Sequence, residues 1–257
     1  MSAVSLFDSH AHLDADVFDP DRPAVLQRAA DAKVTEQLIP AVNADNWQAI
    51  ADLCANTQGL FAAYGYHPMY LPAPNPLCIS DLQTWLDAHP DTVAIGECGL
   101  DFYVEDFDKT QQQWFLDAQM RIARDRELPV ILHARRAVDD VMATIRRFGP
   151  LRGIVHSYPG SLDQAKRLFD MGFLLGIGGP VTYERALRLR SVVTQMPLEA
   201  LVLETDAPDQ PTATRRGQRN EPAFMADVAN SVAELRGISP DEVATATTAN
   251  MHRLLRI

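Results

Sequence analysis

The chain has 257 residues, 47% of them apolar and 22% charged, which excludes extensive intrinsic disorder. That length suits one large domain or two small ones and is close to the roughly 250 residues of a single α/β barrel. With 23 basic and 34 acidic residues the formal net charge is −11, which offers no long-range attraction to nucleic acid or an anionic membrane.

From the N-terminus, short β-rich apolar runs alternate with stretches of helical periodicity. The pattern predicts a strand over Val4–Ser9, a helix over Ala24–Lys33, a strand over Glu36–Ala41 and a helix over Asn46–Asn56. A strand over Leu60–Gly65, a rigid Pro-rich loop over Pro68–Pro76 and a helix over Ser80–Ala88 follow. Next come strand Thr92–Glu97, helix Thr110–Arg126, strand Val130–His133 and helix Val138–Phe148. Then come strand Gly153–His156, helix Leu162–Met171, strand Phe173–Ile177 and helix Ala186–Thr194. The last strand, Leu201–Thr205, precedes a polar, mobile loop over Thr212–Gly217 and helices over Pro222–Arg236 and Pro240–Leu255. Strict alternation implies parallel strands with crossover helices, and eight such units imply a closed (β/α)8 TIM barrel forming a single domain over 1–257. No GxGxxG or GxxxxGK[ST] follows any strand, which weakens the nucleotide-binding Rossmann and P-loop alternatives.

The chemistry-bearing residues stand where strands end. The first strand runs into Asp8-Ser9-His10-Ala11-His12, the fourth into Ile95-Gly96-Glu97 and the fifth into Ile131-Leu132-His133. The sixth ends in Ile154-Val155-His156 and the eighth in Glu204-Thr205-Asp206. Residues two apart on a strand face the same way, so His10 and His12 can reach one cation together. The C-terminal strand ends of a barrel converge on one mouth, which brings four imidazoles and two carboxylates to one place. Zinc, manganese, cobalt, nickel or iron(II) fits that mixture. Six donors exceed the four of a closed structural zinc, and Glu97, on a central strand, is placed to bridge two ions. The expected cofactor is two divalent metal ions, drawn from Zn, Mn, Mg, Ni or Fe.

The same parity places Asp8 and Glu204 one layer deeper, where a carboxylate can accept the free N–H of a ligating imidazole. A buried ion pair or a backbone hydrogen bond is the plainer alternative for each. His67, ending the third strand with the inward parity of Ala63, is expected to touch substrate. Arg135, two beyond His133, offers a guanidinium suited to phosphate, with a surface ion pair as the alternative. Cys98 should face the helix layer as a core thiol, and His89 and His252 are read as structural. The odd set Cys54, Cys78 and Cys98, without CxxC spacing, points to a reducing cytoplasm. No secretion signal is visible at the N-terminus, and the apolar runs are far shorter than the about 18–20 residues of a membrane span.

At these residues the sequence resembles the TatD family of metal-dependent hydrolases and deoxyribonucleases, within the amidohydrolase-like barrels. The matching motifs are Phe7-Asp8-Ser9-His10-Ala11-His12-Leu13-Asp14, Gly65-Tyr66-His67-Pro68 and Gly96-Glu97-Cys98-Gly99-Leu100-Asp101-Phe102. They continue with Pro129–Arg135, His156–Ser161, Leu203–Pro208 and Asn220-Glu221-Pro222, in family order over nearly the whole chain. Leu203–Pro208 and Gly178-Gly179 are most similar to the YjjV-type subgroup. The resemblance implies that His10 and His12 bind one metal with Asp206, that Glu97 bridges, and that His133 and His156 bind the other. Tyr158-Pro159 departs from the family's aromatic followed by Ser or Thr, which removes a hydroxyl but no metal donor.

The activity implied is metal-assisted hydrolysis of a phosphodiester, at a DNA end in the manner of a 3'-5' exonuclease or in a small phosphodiester. Asp206 would serve as ligand and proton acceptor, with His67 and Arg135 positioning the scissile group. The rival is an amidohydrolase-type attack on an amide, ester or lactone carbon. Several such enzymes bridge their metals with a carbamylated Lys at the end of strand four, where this chain has Glu97. A third reading is a non-enzymatic, metal-stabilised binding module, against which six donors at an open mouth argue. No membrane association and no obligatory protein partner are expected.

Overall fold

The computed structural model describes residues 4–104 and 108–257. Its single parallel sheet has strands β1 (Leu6–Asp8), β2 (Val34–Pro40), β3 (Leu60–Tyr64) and β4 (Ala94–Asp101). It continues through β5 (Val130–Arg135), β6 (Gly153–Val155), β7 (Phe173–Ile177) and β8 (Leu201–Leu203), each strand beside the next. The crossovers carry α1 (Arg22–Asp31), α2 (Trp47–Asn56), α3 (Pro76–Ala88), α4 (Lys109–Asp125), α5 (Val138–Phe148), α6 (Leu162–Asp170) and α7 (Leu187–Gln195). After β8 come α8 (Met225–Arg236) and α9 (Pro240–Leu255).

The seam between β8 and β1 closes at its C-terminal end. Ser9 N–H donates to the Leu203 carbonyl at 2.9 Å, Asp206 N–H to the His10 carbonyl at 2.9 Å, and His12 N–H to the Ala207 carbonyl at 2.8 Å. The (β/α)8 barrel is thereby complete, and its closing bonds set His10 and His12 beside Asp206. Alternation divides the strand side chains between two apolar layers. Phe7, Leu38, Ala63, Ala94, Ile131, Ile154, Leu174 and Val202 fill the interior. Met251, Leu254 and Leu255 of α9 cover its N-terminal end, where Arg152 Nε donates to the Leu254 carbonyl at 3.1 Å. Leu6, Ile39, Cys98, Leu132, Val155, Leu175 and Leu203 face the helices. Among the described residues, no helix is long and apolar enough to cross a membrane.

Three predicted boundaries move for identifiable reasons. β4 continues four residues past Glu97 because Gly99 lets β5 approach; a Cβ there would stand 2.0 Å from the His133 carbonyl oxygen. β1 stops at Asp8, whose carboxylate accepts the His10 N–H at 3.2 Å and turns the chain out of the ladder. α3 starts at Pro76 rather than Ser80, because Asn75 caps it by accepting the Leu77 N–H at 3.0 Å and proline presets the first helical φ. The loop over Thr212–Gly217, expected to be mobile, is tied down instead. The Thr212 and Thr214 hydroxyls donate to Asp227 at 3.0 and 2.7 Å around a 3-10 turn at Ala213–Arg215.

Candidate metal centre

Glu97 occupies the middle of the C-terminal mouth, with its side chain 2% exposed. Its Oε2 lies 3.1 Å from His10 Nε2 and 3.6 Å from His12 Nε2. Its Oε1 lies 2.8 Å from His156 Nε2, 3.1 Å from His133 Nδ1 and 3.2 Å from His67 Nε2. Asp206 Oδ1 stands 3.6 Å from His10 Nε2 and 3.7 Å from His12 Nε2. Two groups of donors therefore share one carboxylate, with one oxygen turned to each. Ligand atoms placed tetrahedrally at about 2.1 Å from a cation stand about 3.4 Å apart, close to the spacing found here. All six residues expected as metal donors come together at this place.

The electrostatics also suit cations. Burial works against the Glu97 carboxylate, yet the imidazoles of His156, His67 and His10 hold its pKa well below the ordinary range. Burial likewise opposes a charge on His156, but Glu97, Asp206 and Glu204 outweigh it and raise this ring to about 10. His10, stacked on His156 with centroids 3.9 Å apart, is pushed down to about 4 by burial and by that neighbour. An ionised carboxylate among nitrogen donors fits divalent cations of borderline softness, and binding them would displace protons from the cluster.

His67 differs from the other four imidazoles of the mouth. Its Nδ1 accepts the Met69 N–H at 3.1 Å, so a neutral ring carries its proton on Nε2. Burial holds the His67 pKa below its ordinary value, which favours that neutral form. Nε2 is then a hydrogen-bond donor beside Glu97, although its position with Glu97 and His133 also matches the spacing of donors around a cation.

Support from the surrounding residues is distributed differently from the sequence expectation. Asp8 does not reach the ring of His10. Its carboxylate accepts the Thr205 hydroxyl at 2.6 Å and the backbone N–H groups of Thr205 and His10 at 3.0 and 3.2 Å. Glu204 does face inward, in space that a side chain at Gly176 would fill, but its Oε1 accepts the Ser157 N–H and stays 3.9 Å from His156 Nδ1. The expected carboxylate–imidazole contact occurs at a third residue. His133 Nε2–H donates to Asp101 Oδ2 at 2.9 Å, which turns Nδ1 toward Glu97. Asp101 has the strand parity of Glu97, four residues earlier, and that was its signal in the sequence.

Two further supports come from α4. Gln112 and Gln119, seven apart and so on one helix face, each bind both the N–H and the C=O of one residue at or just past a strand end. Gln119 accepts the Tyr66 N–H at 2.7 Å and donates to the Tyr66 carbonyl at 3.1 Å, next to His67. Gln112 does the same for Asp101 at 2.8 and 3.1 Å. Asn220 Nδ2 donates to the Thr205 and Asp209 carbonyls, both at 2.8 Å, and holds the turn that carries Asp206.

The mouth also gathers left-handed backbone. Ser157, Asp206 and Gln210 adopt φ of +46°, +56° and +50°. Their side chains are joined: Gln210 Nε2 donates to Asp206 Oδ2, and the Ser157 hydroxyl donates to Gln210 Oε1 at 2.8 Å. Such conformations persist where the surroundings over-determine them, as at functional sites. Arg135 stands outside the cluster, on the rim, with its guanidinium 3.7 Å from the Tyr103 ring centroid. His89 stacks on Trp85, His252 pairs with Glu36 at 2.9 Å, and Cys98 is buried in the helix-side layer.

Residues 7–256 match the family model described as TatD related DNase. The chain is 41% identical over 252 residues to the uncharacterized metal-dependent hydrolase YjjV of Escherichia coli K12, covering 97% of both chains. It is 36% identical over 262 residues to the 3'-5' ssDNA/RNA exonuclease TatD of Pantoea vagans, covering 98% of this chain and 100% of that one. The crystal structure of E. coli YjjV, a TatD homolog, has a TM-score of 0.94 at 40% identity over 98% of each chain. Agreement of this length, in sequence and in backbone alike, makes the chain a member of the TatD-related DNase family of metal-dependent hydrolases.

Proposed function

We propose that the enzyme hydrolyses phosphodiesters with water as nucleophile, at a DNA end or in a small phosphodiester. The observation that carries this reading is the arrangement of Glu97, one oxygen toward His10 and His12 and the other toward His133 and His156. His10, His12 and Asp206 would hold one divalent ion and His133 and His156 the second, with Glu97 shared. Ions bound there would supply positive charge for both the attacking and the leaving oxygen of an in-line displacement and lower the pKa of a water toward about 7.

The side chains divide the remaining work. Asp206 Oδ1 faces the donor cluster while Gln210 holds Oδ2, and the side chain is 14% exposed, so it can accept the proton of the attacking water. His67 Nε2–H is the donor that orients a phosphoryl oxygen. Arg135, on the rim, contacts the phosphate next along the strand. The net charge of −11 suits short contacts at a strand end rather than a long duplex footprint. The name of the Pantoea vagans relative supports a nucleic-acid substrate. The free thiols of Cys54, Cys78 and Cys98 suit a reducing cytoplasm.

A panel of single-stranded DNA, a chromogenic phosphodiester, a lactone and an amide, each with Mg²⁺, Mn²⁺ or Zn²⁺, tests the reading. Turnover of the first two is expected. Turnover confined to the lactone or the amide would replace it with attack on carbon, and no turnover at all would favour a binding module.

A further inference from the structure

A cavity of about 490 Å³ opens between the segments that follow β7 and β8, walled by Pro180, Tyr183, Arg185, Ala186, Gln210 and Pro211. Its polar groups are largely engaged already. The Tyr183 hydroxyl donates to the Pro211 carbonyl at 3.1 Å, which fixes the ring. The Gln210 amide is taken up by Asp206 and Ser157. What remains for a ligand is an aromatic ring, apolar proline and alanine surface, and one cation. Arg185 is exposed, 5.5 Å from the Tyr183 ring centroid, and pairs with no carboxylate among the described residues. Among the described residues, no carboxylate lines the cavity.

We propose that this cavity is the nucleobase subsite of the enzyme. A base takes the place of Arg185 over the Tyr183 ring, and Arg185 turns to the phosphate of the same nucleotide. Every base has a π face, so the subsite tolerates sequence while binding phosphodiesters without a base more weakly. The cavity meets the chemistry through one side chain, because Gln210 forms its wall and donates to Asp206 Oδ2. The inference rests on the phosphodiester reading and deepens it, naming a nucleotide as the unit recognised.

The test is calorimetric titration of the metal-loaded protein with dAMP, 2-deoxyribose 5-phosphate and N-acetyl-tryptophan. We expect dAMP to bind about tenfold or more tightly than the sugar phosphate, since stacking on an aromatic ring supplies that margin. Tyr183→Ala removes the margin, and Tyr183→Leu, which keeps the wall filled, removes it too. Tyr183→Phe retains it, and Arg185→Ala weakens both phosphates alike. Equal binding of dAMP and sugar phosphate, a margin that survives Tyr183→Leu, or tighter binding of N-acetyl-tryptophan overturns the proposal. Turnover of single-stranded DNA, which carries bases, is read separately. Turnover without the margin discards the subsite and keeps the phosphodiester reading. A Tyr183-dependent margin without turnover keeps the subsite and discards that reading.

Discussion

The two ends of the barrel interior are built from the same inward-facing strand positions and filled with opposite chemistry. Toward the N-terminal end, Phe7, Leu38, Ile131, Ile154 and Val202 meet Met251 and Leu254 of α9 in a dry apolar layer. Toward the C-terminal end, His10, Glu97, Asp101, His156 and Glu204 are equally buried but polar. Backbone strain divides the same way. Lys33 and Glu127, at φ of +69° and +55°, follow α1 and α4, where a left-handed residue is an ordinary helix ending. Ser157, Asp206 and Gln210 have no such excuse and sit beside the donor cluster. The mouth also carries the desolvation cost: burial pushes Glu204 up to about 8 and Asp8 up to about 7. The apolar end stabilises the fold, and that stability holds the polar end in place.

If the ends are that separate, substitutions at each should have separable effects. The largest belongs to Glu97→Ala, which should abolish turnover and bring metal content below two per chain by elemental analysis. Full occupancy in that variant would remove the shared-carboxylate reading. Next, Asp206→Asn should lower kcat by about 10²–10⁴-fold. Its metal content should fall less than in Glu97→Ala, because His10 and His12 remain; near-normal turnover would move the proton acceptor to Glu204.

A smaller change at the mouth is Asp101→Ala, which releases His133 and should weaken metal affinity about 10–100-fold in a metal titration. Unaltered affinity would show that packing alone orients the ring. At the opposite end, Met251→Ala should cost about 2–5 kcal/mol in denaturant unfolding while turnover of the folded protein stays within a few-fold. Parallel loss of turnover and stability would mean that the two ends are coupled.

The smallest effect lies on the surface, where Arg219 and then Arg28 hold Asp21 down to about 2. An acid whose folded pKa is depressed stabilises the fold when ionised. That contribution is present above about pH 4 and is lost as pH falls through about 2. The unfolding difference between the wild type and Asp21→Asn should close over that interval; a difference independent of pH would place the effect in packing.

Strand periodicity and the polar residues that end the strands were enough to bring His10, His12, Glu97, His133, His156 and Asp206 to one mouth. For His133 and His156 those properties are local, because alternation along a strand assigns each side chain to the inside or the outside of a barrel. His10, His12 and Asp206 lie past the ends of β1 and β8, where the backbone bonds of the seam place them. Parity reached Glu204, and at Asp8, where the chain leaves the ladder, the plainer alternative holds: the carboxylate takes the backbone N–H groups of His10 and Thr205 as well as the Thr205 hydroxyl. It placed His67 inward without saying which ring nitrogen carries the proton; that depended on the Met69 N–H.

What the sequence determined by itself was the alternation of strand and helix, and with it the barrel and the level at which its donors gather. Only the tertiary structure decided which groups support those donors. His133 meets Asp101 across 32 residues, Tyr66 meets Gln119 across 53, and the cavity walled by Tyr183 and Gln210 exists only between two separate loops. The physical reason is directional: a side chain's face follows from its own strand, but the partner of its hydrogen bond is set by whatever the closed barrel brings within about 3 Å.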